Sequence, residues 1–252
     1  MGEGLYRDAA MARFYDLDNG WTGDRAFCLR LAAGKGAVLD LGCGTGDLAI
    51  RIAAEHGSAT TGVDPARAML EIARSKKGAK RVRWVEADAR WLDLSQRFDL
   101  IVMTGHVFQV LLTDEDRAQA LAAVARHLAP GGRFVFDSRN PARREWEEWQ
   151  PDLSRRGFDD PELGPVTAWD EADWDAESGV LAYRTTYRVA ATGAAFSAGA
   201  RIAFPGFDRV GAQIATAGLA VESWLGDWEG AAPGEDSPEF IAICRHARGS
   251  AE

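Results

Sequence analysis

The sequence predicts an α/β fold in which helices pack on both faces of one largely parallel sheet. Short apolar runs typical of buried strands alternate with helical segments through the first half of the chain. The first of these runs breaks into three glycines at every second position and resumes as a helix, and the next run ends in an acid. Both features are typical of a doubly wound sheet that binds its ligand at the carboxyl ends of the strands.

The composition fits one globular α/β domain that carries an insertion. The chain has 252 residues, of which 46% are hydrophobic, and a formal net charge of -9, so a nucleic-acid substrate, which requires a basic face, is not expected. No run approaches the roughly 18 apolar residues of a membrane span, and the chain start lacks the apolar core of a signal peptide. The three cysteines and four histidines show no metal-ligand spacing. We therefore expect a cytoplasmic protein without a metal site.

The central stretch, residues 38–47, is a strand followed by a tight glycine turn and the start of a helix. Gly42, Gly44 and Gly46 allow backbone conformations that a Cβ would forbid, and they let a ligand approach the main chain. The helix expected over 45–56 directs its free N–H groups at the turn, where carboxylate or phosphate oxygens bind well. A nucleotide-like ligand is therefore predicted.

A nicotinamide dinucleotide matches this turn poorly. The fingerprint G-x-G-x-x-G would place its third glycine at position 47, where the chain has Asp47. An NAD-dependent oxidoreductase is therefore the weakest of the alternatives.

Two further strands end in acids on the same side of the predicted sheet. The strand 59–64 ends at Asp64, roughly 20 residues after the first glycine, where adenosine-binding α/β folds place a carboxylate for the ribose hydroxyls. Pro65 then opens a helix. The strand 82–89 ends around Asp88. Both carboxylates are expected at the ligand-binding edge.

The later elements complete the sheet. A strand over 98–103 leads into the segment 104–109, which leaves the ligand-binding edge. The remaining predicted elements are a helix over 114–128, a strand over 133–137, a helix over 207–217, and strands over 218–225 and 239–244.

Residues 140–204 interrupt this pattern with an aromatic and acidic insertion. Strand-like runs over 166–174, 183–189 and 196–204 are separated by turns at Gly179 and Gly193, which predicts an antiparallel meander. We expect the insertion to be a substrate lid. The predicted organisation is an N-terminal cap of one or two short helices (1–34), a ligand-binding domain (35–139 and 205–252) and this insertion.

The residues Asp40-Leu41-Gly42-Cys43-Gly44-Thr45-Gly46 resemble the first motif of the class I S-adenosylmethionine-dependent methyltransferases, and the turn at 128–132 resembles another feature of that family. The match is firm over 35–138, weaker over 204–245 and absent from the insertion. The resemblance implies a Rossmann-like doubly wound seven-stranded sheet, mostly parallel with an antiparallel last strand, plus a small antiparallel β insertion. It also implies the group of these enzymes that acts on small molecules.

The resemblance implies S-adenosylmethionine as cofactor and S-adenosylhomocysteine as product, and it carries residue roles with it. The glycine turn would surround the methionine part, Asp40 would steady its amino end, and Asp64 would bind the ribose. The expected cofactor residues are Asp40, Gly42, Cys43, Gly44, Gly46, Asp64, Pro65, Met69, Asp88, Ala89 and Thr104.

The implied reaction is in-line attack on the methyl group by an O, N or C nucleophile of a small molecule, in which positioning and exclusion of water supply most of the rate. His106 is the first candidate for a general base and Tyr15 the second. The candidate substrate residues are Trp21, Trp146, Trp149 and Trp228. Neither a nucleic acid nor a membrane is an expected partner. A homodimer and a non-catalytic subunit that only binds the cofactor both stay open.

Overall fold

The structure is a computed structural model that describes residues 4–247. Residues 1–3 and 248–252, which the predicted cap and ligand-binding domain include, lie outside the described residues. The helices are α1 (Ala9–Ala12), α2 (Tyr15–Asn19), α3 (Gly23–Leu31), α4 (Asp47–Glu55), α5 (Arg67–Ser75), α6 (Val107–Val110), α7 (Asp114–His127) and α8 (Phe207–Thr216). None of these helices is long and apolar enough to cross a membrane.

Seven strands form the main sheet, and four form a second sheet. The strands are β1 (Ala37–Leu41), β2 (Ala59–Asp64), β3 (Val82–Glu86), β4 (Phe98–Met103), β5 (Leu128–Arg139), β6 (Arg156–Asp160), β7 (Gly164–Asp175), β8 (Val180–Val189), β9 (Ala195–Ala203), β10 (Leu219–Leu225) and β11 (Glu239–His246). The main sheet has the order β10-β11-β5-β4-β1-β2-β3. β11 is antiparallel to both of its neighbours, and the other pairs are parallel. The predicted Rossmann-like sheet with an antiparallel last strand is therefore confirmed.

The strands of the main sheet are apolar on both faces because helices cover both faces. One core cluster contains Leu39, Ile101 and Phe134. A second cluster contains Val38 and Leu100, which directly precede Leu39 and Ile101 in the chain. Successive residues of a strand point to opposite faces, so a strand buried on both sides has a continuous apolar sequence. This is why apolar runs alone located the strands.

The strand order reverses at β1, since β2 and β3 extend the sheet on one side of it and β4 and β5 on the other. The turns that follow β1 and β4 therefore diverge and leave a crevice at the carboxyl ends of these strands. The glycine turn 42–46 and the segment 104–109 flank this crevice.

The N-terminal segment forms three short helices rather than the one or two expected. Gly20, with a φ of +57°, ends α2, and the Asp8 side chain accepts a hydrogen bond from Ala10 N at the start of α1. Met11 and Phe14 pack into a buried cluster of the second sheet. Helices this short are stabilised by tertiary packing, which no local periodicity reports.

The insertion forms an antiparallel sheet in the order β6-β7-β8-β9. The three predicted runs correspond to β7, β8 and β9, while β6 was not predicted because its sequence, Arg-Gly-Phe-Asp-Asp, has no apolar alternation. Pairing of Phe158 with Val166 positions β6. β5 also begins earlier than predicted, because Leu128 pairs with Phe98 and extends the ladder through the turn.

Gly46 is the most tightly packed residue of the glycine turn. Its φ is +80°, and a Cβ there would overlap the Trp84 indole and lie 2.9 Å from Ala73 Cβ. We expect Gly46→Ala to lower the free energy of unfolding by about 2–5 kcal/mol, since left-handed strain and overpacking add. Denaturant unfolding measures this loss. Gly57→Ala is the control, because Gly57 has a φ of +67° and nothing within 4 Å of its Cβ position. Equal losses in the two variants would contradict the steric role of Trp84.

Candidate active site

A cavity of about 480 Å³ lies at the carboxyl ends of the central strands, between the main sheet, the N-terminal helices and the insertion sheet. This is the crevice where open α/β sheets bind ligands. The sequence-predicted residues that line the cavity are Tyr15, Gly42, Gly44, Asp64, Pro65, Met69, His106, Trp149 and Trp228.

Asp64 ends β2, and main-chain groups of two turns hold its carboxylate. Gly44 N donates to Oδ2 at 2.9 Å, and Ala66 N donates to Oδ1 at 2.7 Å. Burial raises the pKa of Asp64, and these two hydrogen bonds oppose that rise. Each carboxylate oxygen keeps a free lone pair for a further donor. The arrangement fits a pair of neighbouring hydroxyls, such as those of ribose.

Asp40 lies within β1, with only 3% of its surface exposed. Burial raises the pKa of its carboxyl to about 7, although the nearby Arg25 opposes the rise. A positively charged group that reached this end of the cavity would stabilise the ionised form.

Arg25, on α3, is a lining residue that sequence reasoning missed. Its guanidinium donates to Gly20 O and lies 4.0 Å from Asp47 Oδ2. No motif in the sequence marks it, because it precedes the glycine turn and reaches the cavity only through the packing of α3. Arg25 therefore offers this end of the cavity a guanidinium, and the same guanidinium lies near the buried Asp40.

The glycine turn packs directly against the segment that follows β4. Gly42 has a φ of +80°, and a Cβ there would lie 2.5 Å from Val107 Cγ2. Asp40, Cys43, Gly46 and Thr104 are not among the residues that line the cavity. Cys43 and Thr104 adjoin lining residues in sequence, whereas Asp40 and Gly46 are each two positions from one.

Asp88 and Ala89 follow β3 and also do not line the cavity. The Asp88 carboxylate accepts hydrogen bonds from the Arg90 guanidinium, at 2.6 Å to Nη2 and 2.9 Å to Nε. This pairing lowers the pKa of Asp88. The family resemblance implies that Asp88 accepts a hydrogen bond from the adenine amino group of the cofactor. That amino group would have to share the carboxylate with Arg90.

His106 is held in place by two carboxylates from distant parts of the chain. Its backbone, at a φ of +62°, directs its N–H to Asp137 Oδ1 at 3.1 Å. Its Nε2 lies 3.0 Å from Glu239 Oε1. Asp137 is 1% exposed, and burial raises the pKa of its carboxyl to about 7. For Glu239, burial favours the neutral form, but the neighbouring His106 and Trp228 N–H groups outweigh burial and lower its pKa.

Sequence reasoning missed Asp137 and Glu239, and it expected no metal site. The ligand atoms of His106, Asp137 and Glu239 all lie within 4.8 Å of one another, close enough to share a cation. The three residues come from three separate segments, so no short motif predicts their meeting.

Tyr15 lies against the glycine turn, with its Cε1 3.9 Å from the position of a Cβ on Gly44. Burial raises the pKa of the Tyr15 hydroxyl well above its usual value. The hydroxyl therefore stays protonated at neutral pH and acts as a hydrogen-bond donor, which disfavours Tyr15 as a base.

Two tryptophans expected near the substrate lie elsewhere. Trp146 stacks on Trp174, with ring centres 4.1 Å apart, and helps to fill the core of the insertion sheet. Trp21 lies under the Arg51 guanidinium at 3.8 Å. Neither lines the cavity, because small sheets and short helices need large aromatic side chains to build any core.

An ion pair between the N-terminal helices and the insertion sheet forms the far wall of the cavity. Arg156 Nη2 donates to Asp18 Oδ2 at 2.6 Å, and Arg156 Nη1 donates to Asp170 Oδ2 at 2.6 Å. The Tyr187 hydroxyl also donates to Asp18, at 2.9 Å. Sequence reasoning missed this wall, since its members are far apart in the chain.

Comparison with known proteins is consistent with this geometry. A family model described as a methyltransferase domain matches residues 38–132. The cypemycin N-terminal methyltransferase of a Streptomyces species is 37% identical over 105 residues, 42% of each chain. The ubiquinone/menaquinone biosynthesis C-methyltransferase UbiE of Desulfotalea psychrophila is 34% identical over 148 residues, 58% of each chain. The chain thus matches about half the length of these curated relatives.

The fold extends over whole solved structures. The CcbJ methyltransferase from Streptomyces caelestis superposes with a TM-score of 0.78 at 20% identity, over 98% of this chain and 100% of that one. CalS10, described as an S-adenosylmethionine-bound amino pentose methyltransferase from Micromonospora echinaspora, superposes with a TM-score of 0.65 at 24% identity, over 96% and 99%.

The domain match and the fold agree with each other. Residues 38–132 match a methyltransferase domain, and the fold of the chain is that of solved methyltransferases. Both findings support the resemblance seen in the motifs.

The buried Asp40 predicts a pH-dependent stability. Its pKa rises from about 3.9 in the unfolded chain to about 7 in the folded one. Between these values the folded state binds more protons, so this residue's contribution to stability falls as pH rises. We expect Asp40→Asn to gain stability relative to the parent between pH 5 and pH 8, by up to about 3 kcal/mol.

Denaturant unfolding of the cofactor-free protein at both pH values measures this gain. Asp93→Asn, at an exposed acid, is the control and should show no such gain. A constant difference between Asp40→Asn and the parent at both pH values would refute the assignment.

Proposed function

We propose that this protein transfers a methyl group from S-adenosylmethionine to a nitrogen nucleophile of a small molecule. The observation that carries the proposal is that one cavity joins the glycine turn and Asp64 to the His106–Glu239 pair. Cofactor-binding groups and a candidate base therefore face the same enclosed space. A volume of about 480 Å³ is within the usual range of small-molecule sites.

The residues at the cofactor end fit S-adenosylmethionine. Asp64 would accept the two ribose hydroxyls, Asp40 would face the amino group and Arg25 would face the carboxylate. Gly42 and Gly44 leave the main chain open to close approach, since their φ values of +80° and +52° require the absence of a Cβ. When bound, this cofactor supplies a methyl group already activated on a sulfonium, so the protein's task is to position the nucleophile and exclude water.

His106 is the proposed general base, and Glu239 determines which of its nitrogens can act. The lowered pKa of Glu239 keeps that carboxylate ionised, so it can only accept the hydrogen bond with Nε2. A neutral imidazole carries one N–H, and that N–H is then on Nε2. Nδ1 keeps its lone pair, and none of the described residues hydrogen-bonds to it. Nδ1 is therefore the atom that would take a proton from the acceptor.

The charges around His106 favour nitrogen over oxygen as the nucleophile. The ionised Glu239 lies beside the proposed base, and a unit charge about 4 Å from another is worth about 4 kcal/mol at the effective dielectric of a partly buried site. An incoming ammonium is attracted, whereas a phenolate or carboxylate is repelled. Glu239 Oε2 is also buried, and no donor of residues 4–247 lies within full hydrogen-bond distance of it, although the Trp228 N–H is near. An ammonium N–H would provide such a bond.

The names of two similar proteins agree with a nitrogen acceptor, whereas UbiE is named as a C-methyltransferase. One relative is an N-terminal methyltransferase, and one structural neighbour acts on an amino pentose. The methyltransferase domain match weighs against an NAD-dependent oxidoreductase. A subunit that binds the cofactor without turnover is the alternative that the experiments below separate. A cytoplasmic location and a homodimer stay predictions.

Cofactor binding is tested by calorimetric titration with S-adenosylmethionine and S-adenosylhomocysteine. We expect Asp64→Asn to weaken binding roughly 10- to 100-fold, since it removes hydrogen bonds to a charged acceptor. Asp99→Asn is a matched control, because Asp99 also accepts two main-chain N–H groups, from Gly36 and Ala37, and does not line the cavity. Binding that is unchanged in Asp64→Asn, or absent from the folded parent, would overturn the cofactor assignment.

Catalysis is tested by release of S-adenosylhomocysteine with a panel of small amines, phenols and carboxylic acids. We expect turnover with amines, a kcat roughly 10²- to 10⁴-fold lower in His106→Asn, and unchanged cofactor affinity. Glu222→Gln is the control, since Glu222 pairs with Arg133 outside the cavity. The rate should be unchanged by EDTA, because the hydrogen bond to Glu239 occupies Nε2 and leaves that nitrogen unavailable to a metal ion. Full activity in His106→Asn would exclude it as the base, and cofactor binding without turnover of any acceptor would favour the non-catalytic subunit.

A further inference from the structure

We propose that Asn140 is a positioning residue for the His106–Glu239 pair. It would act by anchoring the β10–β11 loop, residues 226–238, which carries Trp228 and leads into Glu239. The inference rests on the proposed function, because it assigns Asn140 a role in holding the proposed base. No motif in the sequence marks this residue.

Asn140 directly follows β5 and is 1% exposed. Its Nδ2 donates to Glu235 O and Ser237 O at 2.9 Å each, and lies 3.4 Å from Gly234 O. Its Oδ1 accepts from Ala142 N at 3.0 Å. Its own N–H donates to Pro238 O at 3.0 Å. Both N–H bonds of the side-chain amide are thus directed at carbonyls of the β10–β11 loop.

The β10–β11 loop is also folded tightly from its other end. Asp227 Oδ1 accepts hydrogen bonds from Glu229 N, Gly230 N and Ala231 N at 2.8–2.9 Å. Trp228, next to this turn, lines the cavity, and its ring centre lies 5.4 Å from that of Phe27 on α3. The loop is therefore a wall of the active site, held by Asp227 on one side and by Asn140 on the other.

The contact between Asn140 and the loop bears directly on Glu239. Glu239 is the first residue of β11 and is paired with Arg139, the last residue of β5. Its carboxylate reaches His106 Nε2 at 3.0 Å. Because Glu239 begins β11, the position of its side chain depends on the residues that lead into it. The Asn140 side chain holds Ser237 O, and the Asn140 main-chain N–H holds Pro238 O.

The fold itself does not need this contact. β5 and β11 are joined by a ladder that extends from Glu239 opposite Arg139 to Cys244 opposite Phe134. Loss of the amide would leave that ladder in place but would release the carbonyls of the loop. The expected consequence is freedom of Glu239 and loss of the constraint on the His106 tautomer, rather than loss of the sheet.

Asn140→Asp is the sharpest variant, because a carboxylate has the same shape but cannot donate, and it would face carbonyl oxygens. Misplacement of a catalytic group by about 1 Å can cost 10²-fold, so we expect kcat to fall roughly 10- to 100-fold while the Kd for S-adenosylmethionine stays unchanged. Long-range ¹H–¹⁵N NMR of the histidine side chains reports tautomers directly, and the chain has only four histidines. The parent should show His106 protonated on Nε2, and Asn140→Asp should show a mixture.

If Asn140→Asp does not fold, Asn140→Ala and Asp227→Asn replace it in the test. Asn140→Ala removes the side-chain contacts at one end of the loop, and Asp227→Asn weakens those at the other end. Gln119→Glu is the matched amide-to-acid control, at a half-buried residue of α7 whose amide donates to Glu115 at the surface, and it should change neither kcat nor the His106 signals. Unchanged kcat and an unchanged His106 tautomer in the folded Asn140 variants would overturn the inference. If the parent lacks turnover but its His106 tautomer still responds to Asn140→Asp, the proposed function fails while the positioning contact stands.

Discussion

Three carboxylates buried at the carboxyl ends of strands set the conditions that the rest of this structure meets. Asp40, Asp64 and Asp137 lie in β1, β2 and β5 and are each less than a tenth exposed. A buried carboxylate is costly unless hydrogen bonds or a positive charge compensate it. Gly44 N and Ala66 N compensate Asp64, while the His106 N–H and side chain face Asp137. A ligand that enters the cavity must therefore supply hydrogen-bond donors or positive charge to the carboxylate oxygens that remain without such a partner.

The glycine turn and the positive φ of His106 follow from this condition. Two of the backbone N–H groups that reach these carboxylates belong to residues in left-handed conformations, Gly44 at Asp64 and His106 at Asp137. For a residue other than glycine such a conformation costs of the order of 1–3 kcal/mol and persists where surrounding contacts enforce it. The strain at His106 is thus coupled to the placement of its imidazole beside Glu239.

The N-terminal helices turn an open crevice into a cavity by joining the two sheets. Asp16 on α2 pairs with Lys76 beside the main sheet, and Asp18 on the same helix pairs with Arg156 of the insertion sheet. Partly buried ion pairs of this kind contribute little net stability, but they penalise alternative arrangements in which one partner is left alone. They therefore determine how Tyr15 and Arg25 are presented to the cavity.

The sequence by itself determined the succession of most strands and helices along the chain, the doubly wound class, and the place of the glycine turn and Asp64 at the cavity. These features are local: apolar runs, glycine spacing and an acid at a strand end are all written within a few consecutive residues. It also placed His106 at the ligand-binding edge, because that residue follows directly from the end of β4. Periodicity failed for β6, which has no apolar alternation, and for the short N-terminal helices, which depend on packing.

Only the tertiary structure brings His106 and Glu239 together at the cavity and joins Asn140 to the loop before Glu239. His106 and Glu239 are separated by more than half of the chain, and Asn140 holds a loop that begins far beyond it in sequence. The antiparallel insertion of β11 between β5 and β10 brings these segments together. Trp146 and Trp21 were placed near the substrate by residue type, yet the cores of the insertion and of the N-terminal segment use them. Which polar side chains meet depends on strand order and packing direction, and neither quantity is encoded in a local pattern.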